Sequence, residues 1–525
     1  MTGAIITPDT PVAGAVSFTI RSDQNVAPIS RFIYGNNFHD FAAAHPKNLT
    51  LSRLGGNRWT AYNWETNASN AGTDWYNQND GYLSNSNTPG AAVTPSITTA
   101  HANNAAMLIT VPIAGYVAAD KSGGGDVNQS GSNYLATRFK QSLPKKGSAL
   151  SLTPSTTDAY VYQDEFVNFI DKSFPGARSD ATRTIFYSLD NEPDLWASTH
   201  PRIRGDASGS AGNKATYAEM VQRSSLYADA IKSVVPQAIV FGPVNYGWQG
   251  MVTLQDAPDA AGRDFITYYL QQMSAAHTSA GKRLLDVLDV HWYSEATNAA
   301  GTRITNDATG SDASLNAARM QAPRSLWDAG YTEQSWIGQW NGAIRLIPRL
   351  REKIAASYPG TRLSISEYNH GGSQHISGGI AQADTLGIFG REGVFAASFW
   401  SLTGSNDSFA WGAFEMFRNY DGVNGSFGDT SIAASTTNVA DSSVYASVDA
   451  GSADRMVLVV INKTASSQTA ALRIWHTRRF ARAKVFQLTA ASSVPQAAGT
   501  ITLTQINAFQ YAMPAYSVST LVLEP

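Results

Sequence analysis

The stretch TIFYSLDNEPDLW, residues 184–196, joins a short apolar run to a cluster of acidic and aromatic residues. Thr184–Leu189 is rich in β-branched and aromatic side chains, which is typical of a buried strand. Asp190, Glu192 and Asp194 follow directly. In parallel-sheet enzymes the chemistry lies at the carboxyl ends of the strands, so this stretch predicts a strand that delivers carboxylates to a site.

Seven further runs of the same kind lie between residues 30 and 405. The eight runs are Phe32–Gly35, Leu49–Leu54, Met107–Ile113, Thr184–Leu189, Ala238–Pro243, Val287–Trp292, Leu363–Ser366 and Val394–Trp400. Longer segments separate them, and Tyr217–Val235 spaces its apolar residues by threes and fours, as a helix does. Eight strand–helix units predict an α/β fold of the (β/α)8 TIM-like barrel type. The long loops after the second and third strands are expected to be functional.

The pattern changes after about residue 425. The stretch TSIAASTTNVADSS (430–443) is typical of a junction, and seven alternating runs follow it: Val444–Val448, Met456–Asn462, Ala470–Trp475, Lys484–Leu488, Ile501–Gln505, Gln510–Met513 and Ser517–Leu523. They predict an all-β sandwich, to which Val16–Arg21 would add a strand. We therefore expect an N-terminal segment at 1–29 that contributes to the sandwich, a catalytic barrel at 30–425 and a C-terminal β-sandwich at 426–525.

The composition excludes several classes of function. The net charge is −3, so the chain lacks the basic surface of a nucleic-acid-binding protein. The sequence contains no run of 18 apolar residues, so it predicts no membrane span. There is no cysteine, which excludes disulfides and thiolate chemistry. Only 15% of the residues are charged, against about 25% in an average domain, while Asn, Ser, Thr and aromatic residues are abundant. Such a surface favours a neutral hydroxylated ligand, for which a polysaccharide is the natural candidate.

Two glutamates stand at the ends of opposite predicted barrel strands. Glu192 follows the fourth strand, and Glu367 lies in LSISEYNHGG (363–372) at the end of the seventh. Hydrolysis of a glycosidic bond needs such a pair, one carboxylic acid to protonate the leaving oxygen and one carboxylate to attack the sugar or activate water. Asp190 and Asp194 are expected to be loop hydrogen bonders whose charge helps to raise the pKa of Glu192.

Other strand-end residues are candidates for supporting roles. Arg53 or Arg58 would keep Glu367 ionised, the alternative being a structural ion pair. His291 or Tyr293 would donate a hydrogen bond to the nucleophile. Asn57 is a candidate for sugar binding. The aromatic candidates, of which we expect about half to line subsites by stacking on sugar rings, are Trp64, Trp75, Tyr246, Trp248, Trp327, Trp336 and Trp400.

Three motifs together resemble glycoside hydrolase family 44: GGNRWTAYNWETNASNAGTDW (55–75), SLDNEPDLW (188–196) and SEYNHGG (366–372). The resemblance implies an endo-β-1,4-glucanase or xyloglucanase that retains anomeric configuration, with Glu192 as acid/base and Glu367 as nucleophile. It also implies that Asn191 binds the sugar 2-hydroxyl, and that a structural calcium ion is present, for which Glu65 and Asp158 are candidate ligands. No cofactor is expected for catalysis.

Some alternatives stay open at this point. Xyloglucan, cellulose-type glucan, xylan and mannan are not ranked by the sequence, which also indicates no oligomeric state. An exo-acting hemicellulase of the same barrel clan, or a glycan-binding relative without activity, would share much of the pattern. A polymeric substrate predicts action outside the cell, although residues 1–20 lack the pattern of a signal peptide.

Overall fold

A computed structural model describes residues 3–404 and 406–525 of the chain. Its central feature is a closed barrel of eight parallel strands: Gly35–Asn37, Leu51–Leu54, Ala106–Val111, Ile185–Leu189, Val240–Asn245, Val287–Tyr293, Arg362–Asn369 and Ala396–Phe399. Strands consecutive in this order are neighbours in the barrel, and the eighth closes on the first through the pair Ser398–Gly35. The predicted (β/α)8 barrel is therefore confirmed.

Helices cover the outside of the barrel. The longer ones are Thr94–Ala102, Gln163–Ser173, Tyr217–Val234, Trp248–Thr253, Phe265–Ala280, Ala313–Gln321, Trp336–Asn341, Leu346–Ser357, Ile376–Arg391 and Ser408–Arg418. The helix expected from the apolar spacing at 217–235 begins after Thr216, whose Oγ1 accepts a hydrogen bond from the backbone N–H of Glu219. This Thr-x-x-Glu spacing is that of a capping box. No helix among the described residues is long and apolar enough to cross a lipid bilayer.

The barrel interior changes from apolar to polar along its axis. Leu51, Phe186 and Val287 belong to an apolar cluster inside the barrel. Because side chains alternate along a strand, the next inward positions on two of these strands are Arg53 and Asp289, both fully buried. The apolar layer thus closes one end of the barrel and leaves the carboxyl ends of the strands to carry charged groups.

Two long loops form small sheets beside that end. The loop after the second strand contains the strand pair Ser69–Asn70 and Asn79–Asp80. The loop after the third contributes Tyr116–Ala118, Phe139–Leu143 and Tyr160–Tyr162. The loop after the second strand lines the cavity at the barrel mouth with Asp74 and Tyr82, and Asn63 of the same loop donates a hydrogen bond to the carbonyl of Ala118 in the loop after the third strand.

The second layer is a ten-stranded β-structure that includes the short strand Ala27–Pro28. Its C-terminal strands are Thr430–Thr436, Ser442–Asp449, Ser452–Asn462, Gln468–Trp475, Arg482–Thr489, Ser492–Thr502, Ala508–Met513 and Ser517–Glu524. The N-terminal strand Val16–Arg21 pairs antiparallel with Thr430–Thr436 and parallel with Gln468–Trp475. The expected β-sandwich with an N-terminal strand is confirmed.

Two details of the sandwich differ from the sequence-based expectation. The Ser/Thr/Ala-rich stretch at 430–443 is not a plain junction, since its first half is the strand Thr430–Thr436. The strand expected at 501–505 runs instead over Ser492–Thr502 and forms a hairpin with Arg482–Thr489. Both segments are rich in small and polar residues, and most of their residues are at least partly exposed, so they lack the apolar alternation by which strands are recognised.

The helix Ile376–Arg391 lies between the barrel and the sandwich and is buried over nearly its whole length. Within it, Asp384 pairs with Lys463 of the sandwich at 2.7 Å and accepts a 2.6 Å hydrogen bond from Tyr445. Tyr445 packs so closely on Gly387 that a Cβ there would lie 2.2 Å from the ring. These contacts fix the sandwich to the barrel.

Candidate active site

Glu192 lies just past the end of the fourth barrel strand, in a constrained backbone conformation. Its φ is +42°, a region that residues with side chains rarely adopt, and its N–H donates to the carbonyl of Val244 at 3.0 Å. Pro193 then begins a short helical turn. Trp196 donates from its ring N–H to the carbonyl of Asn191 at 3.0 Å. The NEP segment is thus held from both sides, as is common where strain serves a site.

A β-bulge directs Glu367 into the barrel mouth. Along the seventh strand, Val290 of the neighbouring strand pairs with Ile365, but the next residue, His291, pairs with Glu367 and skips Ser366. Leu363 and Ile365 pack in the large apolar cluster that includes the helices. Strict alternation would put Glu367 on that same outer side, so the bulge is what points its carboxylate inward.

The two glutamates meet at one imidazole. His291 Nδ1 lies 2.8 Å from Glu192 Oε1 and 3.5 Å from Glu367 Oε2. One carboxylate oxygen of each glutamate and one ring nitrogen of His291 all lie within 4.8 Å of one another. The sequence therefore placed the pair correctly at facing strand ends, and the structure adds that they are close together.

Two further side chains hold the carboxylate of Glu367. Arg53 Nη1 donates to Oε1 at 2.6 Å, and the Tyr293 hydroxyl donates to Oε2 at 2.7 Å. Of the two arginines considered, Arg53 is the partner, because Arg58 pairs instead with Asp80 at 2.5 Å. A charged donor and a neutral donor on separate oxygens fix the orientation of the Glu367 carboxylate.

Arg53 also orients the amide of Asn191. Its Nη2 donates to Asn191 Oδ1 at 2.8 Å, and the backbone N–H of Gly56 donates to the same oxygen at 3.2 Å. The NH₂ group of Asn191 points toward Asn57 and donates to its Oδ1 at 3.4 Å. An amide that presents donors next to the catalytic pair suits a sugar hydroxyl.

The glycines of the GGNRW motif are required by close approaches. At Gly55 a Cβ would lie 2.2 Å from the Arg53 guanidinium carbon, and at Gly56, where φ is +85°, it would lie 2.8 Å from the Trp400 ring. Only glycine fits both positions without moving these side chains.

Burial tunes the protonation of the site. Burial, reinforced by the charge of Asp74 and opposed by Arg53, raises the pKa of Glu192 to about 7. Burial lowers the pKa of His291 to about 4, so the ring is neutral near pH 7. Burial and the two glutamates raise the pKa of Tyr293 well above its usual value, and this hydroxyl stays a donor. The site thus offers a carboxylic acid that keeps its proton near neutrality, as a general acid needs.

The aspartates beside Glu192 are structural, as expected. Asp190 is buried and accepts hydrogen bonds from the backbone of Ile113 and Ala114. Asp194 accepts hydrogen bonds from the Asn245 amide and from the backbone of Tyr246. The neighbouring aspartate whose charge raises the pKa of Glu192 is a different one, Asp74.

A cavity of about 690 Å³ opens above the catalytic pair. The expected site residues that line it are Asn57, Asn191, Glu192, Tyr293, Glu367 and Trp400. Asn57 donates to both carboxylate oxygens of Asp74, at 3.2 and 3.1 Å. A neighbouring groove of about 450 Å³ shares Tyr293 with this cavity and collects Tyr246, Trp248 and Trp336. Trp75 is 55% exposed on the second loop, next to Asp74.

Three of the tryptophan assignments need correction. Trp64 is fully buried and stacks on Phe166 at 5.7 Å, so it is a core residue and not a subsite. Trp327 lies under the guanidinium of Arg391 in a different cavity, between barrel and sandwich. Trp248 reaches the groove, but it is 7% exposed and Arg349 covers its ring, so at most its edge is free. A lone tryptophan in a loop carries no periodic signal that separates these cases.

The predicted calcium ligands come together, but around a lysine. The ammonium of Lys140 lies 2.9 Å from Glu65 Oε2, 3.6 Å from Asp158 Oδ1 and 3.5 Å from the carbonyl of Ser155. The cation of this cluster is therefore part of the chain, and these residues do not fit a calcium ion, which needs six to eight oxygen ligands. Other acidic loop residues pair with arginines in the same way: Asp80 with Arg58, Asp120 with Arg138 and Asp126 with Arg202.

Some residues of the site were not foreseen. Asn37 accepts from Arg53 Nη1 at 3.0 Å, and Phe38 packs edge-on against Trp400 at 5.6 Å and lines the cavity. Both follow the first predicted strand, so reading its carboxyl end like the others would have found them. Tyr82, also in the lining, lies in the second loop and carries no such signal.

Comparison with known proteins agrees with this geometry. The sequence model of the protein family named glycoside hydrolase family 44 matches residues 68–296. Endoglucanase A of Paenibacillus lautus is 41% identical over 98% of this chain and 73% of its own length. A family 44 xyloglucanase from Paenibacillus polymyxa, solved with xyloglucan, is 40% identical with a TM-score of 0.91 over 97% of this chain and 99% of that one. A family 44 endoglucanase from Clostridium thermocellum is also 40% identical, with a TM-score of 0.90 over 98% and 100%.

Proposed function

The chain belongs to glycoside hydrolase family 44 and is a glycosidase, and from that premise we propose that it cleaves β-1,4-glucan backbones internally, with retention of anomeric configuration. Glu367 is the nucleophile and Glu192 the acid/base. The polysaccharide is xyloglucan or a cellulose-type glucan, which is supported by one relative that is a xyloglucanase solved with xyloglucan and by two that are endoglucanases.

The separation of the two carboxylates carries the proposal of retention. Retaining glycosidases place them about 5–5.5 Å apart, whereas inverting enzymes need about 6.5–9.5 Å to admit a water molecule between them. The approach of Glu192 and Glu367 oxygens to within 4.8 Å belongs to the first class. A spacing of this size favours direct attack on the sugar over attack by a water molecule held between the carboxylates.

In the first step a carboxylate oxygen of Glu367 bonds to the anomeric carbon while the bond to the leaving sugar breaks. The proton of Glu192 moves to the departing oxygen, so the aglycone leaves as an alcohol and Glu192 becomes a carboxylate. Arg53 and Tyr293 hold the attacking carboxylate in line. Asn191 donates to the 2-hydroxyl, a contact that strengthens in the oxocarbenium-like transition state.

In the second step Glu192 takes a proton from water, whose oxygen bonds to the anomeric carbon as the bond to Glu367 breaks. The product carries the original configuration, and both glutamates regain their starting protonation. The neutral ring of His291, which contacts both carboxylates, keeps them in place without adding a charge.

Internal cleavage is supported by the shape of the mouth. The catalytic cavity shares Tyr293 with the groove lined by Tyr246 and Trp336, and it shares Phe38 and Trp400 with a further hollow of about 390 Å³. The depression therefore continues past the glutamates through two different sets of residues, as an open cleft does. An exo-acting enzyme would be expected to have a closed pocket instead. The endoglucanase relatives also argue against exo-action.

The same proposal places the enzyme outside the cell. A β-1,4-glucan polymer is too large to be taken up intact, so its backbone has to be cut before import. Activity in the culture fluid of a producing strain, against cell lysate as the control, tests this placement.

The function is tested by proton NMR of the anomeric region in the first minutes of digestion of soluble xyloglucan. We expect β-anomer signals first, followed by mutarotation, and oligosaccharides as products. Initial α-anomers would refute retention, and a monosaccharide as the sole early product would refute internal cleavage. Glu367→Gln is the matched control, expected to remain folded and to release no reducing ends.

A further inference from the structure

The short helix Trp336–Asn341 presents two tryptophans to solvent. Trp336 is 42% exposed and Trp340 is 79% exposed, the highest value among the large apolar side chains of the described residues. Residues four apart lie on the same face of a helix, about 6 Å apart along its axis. The two rings therefore form one surface, which we call the tryptophan ridge.

The orientation of the ridge is fixed by the other face of the helix. Ile337 and Gly338 are fully buried, and a Cβ on Gly338 would lie 2.0 Å from the carbonyl of Glu333. The side chain of Ser335 caps the helix by accepting from the N–H of Gly338 at 3.1 Å. The helix cannot rotate to bury Trp340 without losing these contacts, so the outward position of both rings is built in.

The ridge adjoins the groove beside the catalytic cavity. Trp336 lines the groove that shares Tyr293 with the catalytic cavity, and Trp340 lies one helical turn farther along. Solvent-exposed aromatic surface at the end of a groove marks a ligand or partner contact. A chain that leaves the groove past Trp336 would meet Trp340 next.

The charges of the groove indicate what occupies it. Its two charged residues, Glu295 and Arg303, pair with each other at 2.9 Å and leave no net charge. Leu402, Ile337 and the aromatic rings supply apolar surface, and Asn306 and Thr305 supply neutral polar groups. This composition suits an uncharged chain of sugar rings, whose C–H faces stack on aromatics while their hydroxyls bond at the edges.

We propose that Trp340, with Trp336, forms a distal contact site for the polysaccharide chain, beyond the groove that holds the sugars nearest the bond to be cut. The inference rests on the proposed function, since it assigns the same substrate to this surface. It implies that the apparent affinity for β-1,4-glucan oligosaccharides keeps rising after the groove is filled, until the chain reaches Trp340.

Trp340→Ala tests this through chain length. We expect KM for long xyloglucan to rise ~2- to 10-fold, the range of one aromatic contact, with little change in kcat. The shortest oligosaccharide that the enzyme cleaves should show unchanged kcat/KM. Trp340→Phe should retain most of the affinity. Leu226→Ala is the matched control, because Leu226 is 50% exposed on the helix Tyr217–Val234, outside the cleft.

A second readout needs no turnover. In a Glu367→Gln background, long oligosaccharides should change the tryptophan fluorescence with an affinity that falls when Trp340 is replaced. An equal loss for the shortest substrate, or no loss for any substrate, would overturn the inference. So would sedimentation that shows wild-type dimers abolished by Trp340→Ala, since the ridge would then be a contact between copies. Failure of the proposed function itself is distinct, because the wild-type enzyme would then cleave no β-1,4-glucan.

Discussion

Arg53 Nη1 lies 2.6 Å from Glu367 Oε1, with both side chains buried in the barrel mouth. The same guanidinium bonds to Asn37 and Asn191, so three polar partners depend on one planar fork. A buried arginine that bridges the nucleophile and the residue beside the acid sets their relative geometry. It does more than neutralise a charge.

Arg53→Lys should therefore lower kcat on xyloglucan by about 100-fold, because an ammonium cannot reproduce the fork and a small misplacement of reacting groups costs on this order. Burst and steady-state kinetics measure the loss. The control is Arg324→Lys, which alters a partly buried ion pair with Asp328 that lies outside the catalytic cavity. Wild-type turnover in Arg53→Lys would show that the charge alone suffices.

The pH dependence should follow the proton of Glu192. Its pKa of about 7 predicts that kcat/KM falls as the pH rises through 7, since the acid form disappears. Asp74 raises this pKa, so Asp74→Asn makes ionisation easier and should move the alkaline limb to lower pH. Asp80→Asn, in the same loop, should leave the limb in place. A limb unmoved by Asp74→Asn would contradict the assignment.

The same shift has a cost in stability. The folded protein holds the Glu192 proton more tightly than the unfolded chain, whose carboxyl has a pKa near 4.5. Its contribution to stability is therefore lost as the pH rises from about 4.5 through 7. Glu192→Gln should unfold at a higher denaturant concentration than wild type at pH 8, and the two should converge below pH 4.5. Equal midpoints at both pH values would argue against burial as the cause.

The sequence predicts which strand ends carry the site, but it does not predict how close the two carboxylates lie. Strand ends are readable because apolar runs stop abruptly, and the barrel topology brings those ends to one face. Glu192 and Glu367 were found in that way. Their separation was not predictable, because it depends on a bulge at Ser366 and on the positive φ of Glu192, neither of which has a sequence signature here.

Tryptophans and acidic loop residues were harder to place, for a related reason. Trp64 lies in a loop and Trp336 begins a short helix, yet Trp64 is in the core and Trp336 faces solvent. Only packing decides between them. Glu65 and Asp158 were predicted as calcium ligands, but both lie against Lys140, which is far along the chain from Glu65. Long-range pairing of this kind has no periodicity to reveal it.

Gly56→Ala should damage the site through Trp400. The new methyl group would lie 2.8 Å from the ring at a backbone φ of +85°, so the ring has to move. We expect kcat/KM to fall by about 10- to 100-fold. Gly123→Ala is the control, since Gly123 also has a positive φ, of +61°, but open space around it. It should lose only about 1–2 kcal/mol of stability and keep its activity. Similar activities of the two variants would show that the Trp400 contact is unimportant.

Lys140 should make the cluster of Glu65 and Asp158 independent of calcium, because its ammonium already lies against both carboxylates. EDTA should leave the thermal midpoint of the wild-type enzyme unchanged, and a midpoint that falls with EDTA and recovers with Ca²⁺ would contradict this.

Lys140→Ala leaves the buried Glu65 carboxylate unpaired and should cost about 3–5 kcal/mol at pH 8. Burial already raises the pKa of Glu65 to about 7, so the carboxyl takes up a proton at pH 5 and the cost should shrink there. Adding Glu65→Gln to Lys140→Ala should recover much of the loss, since no buried charge then remains.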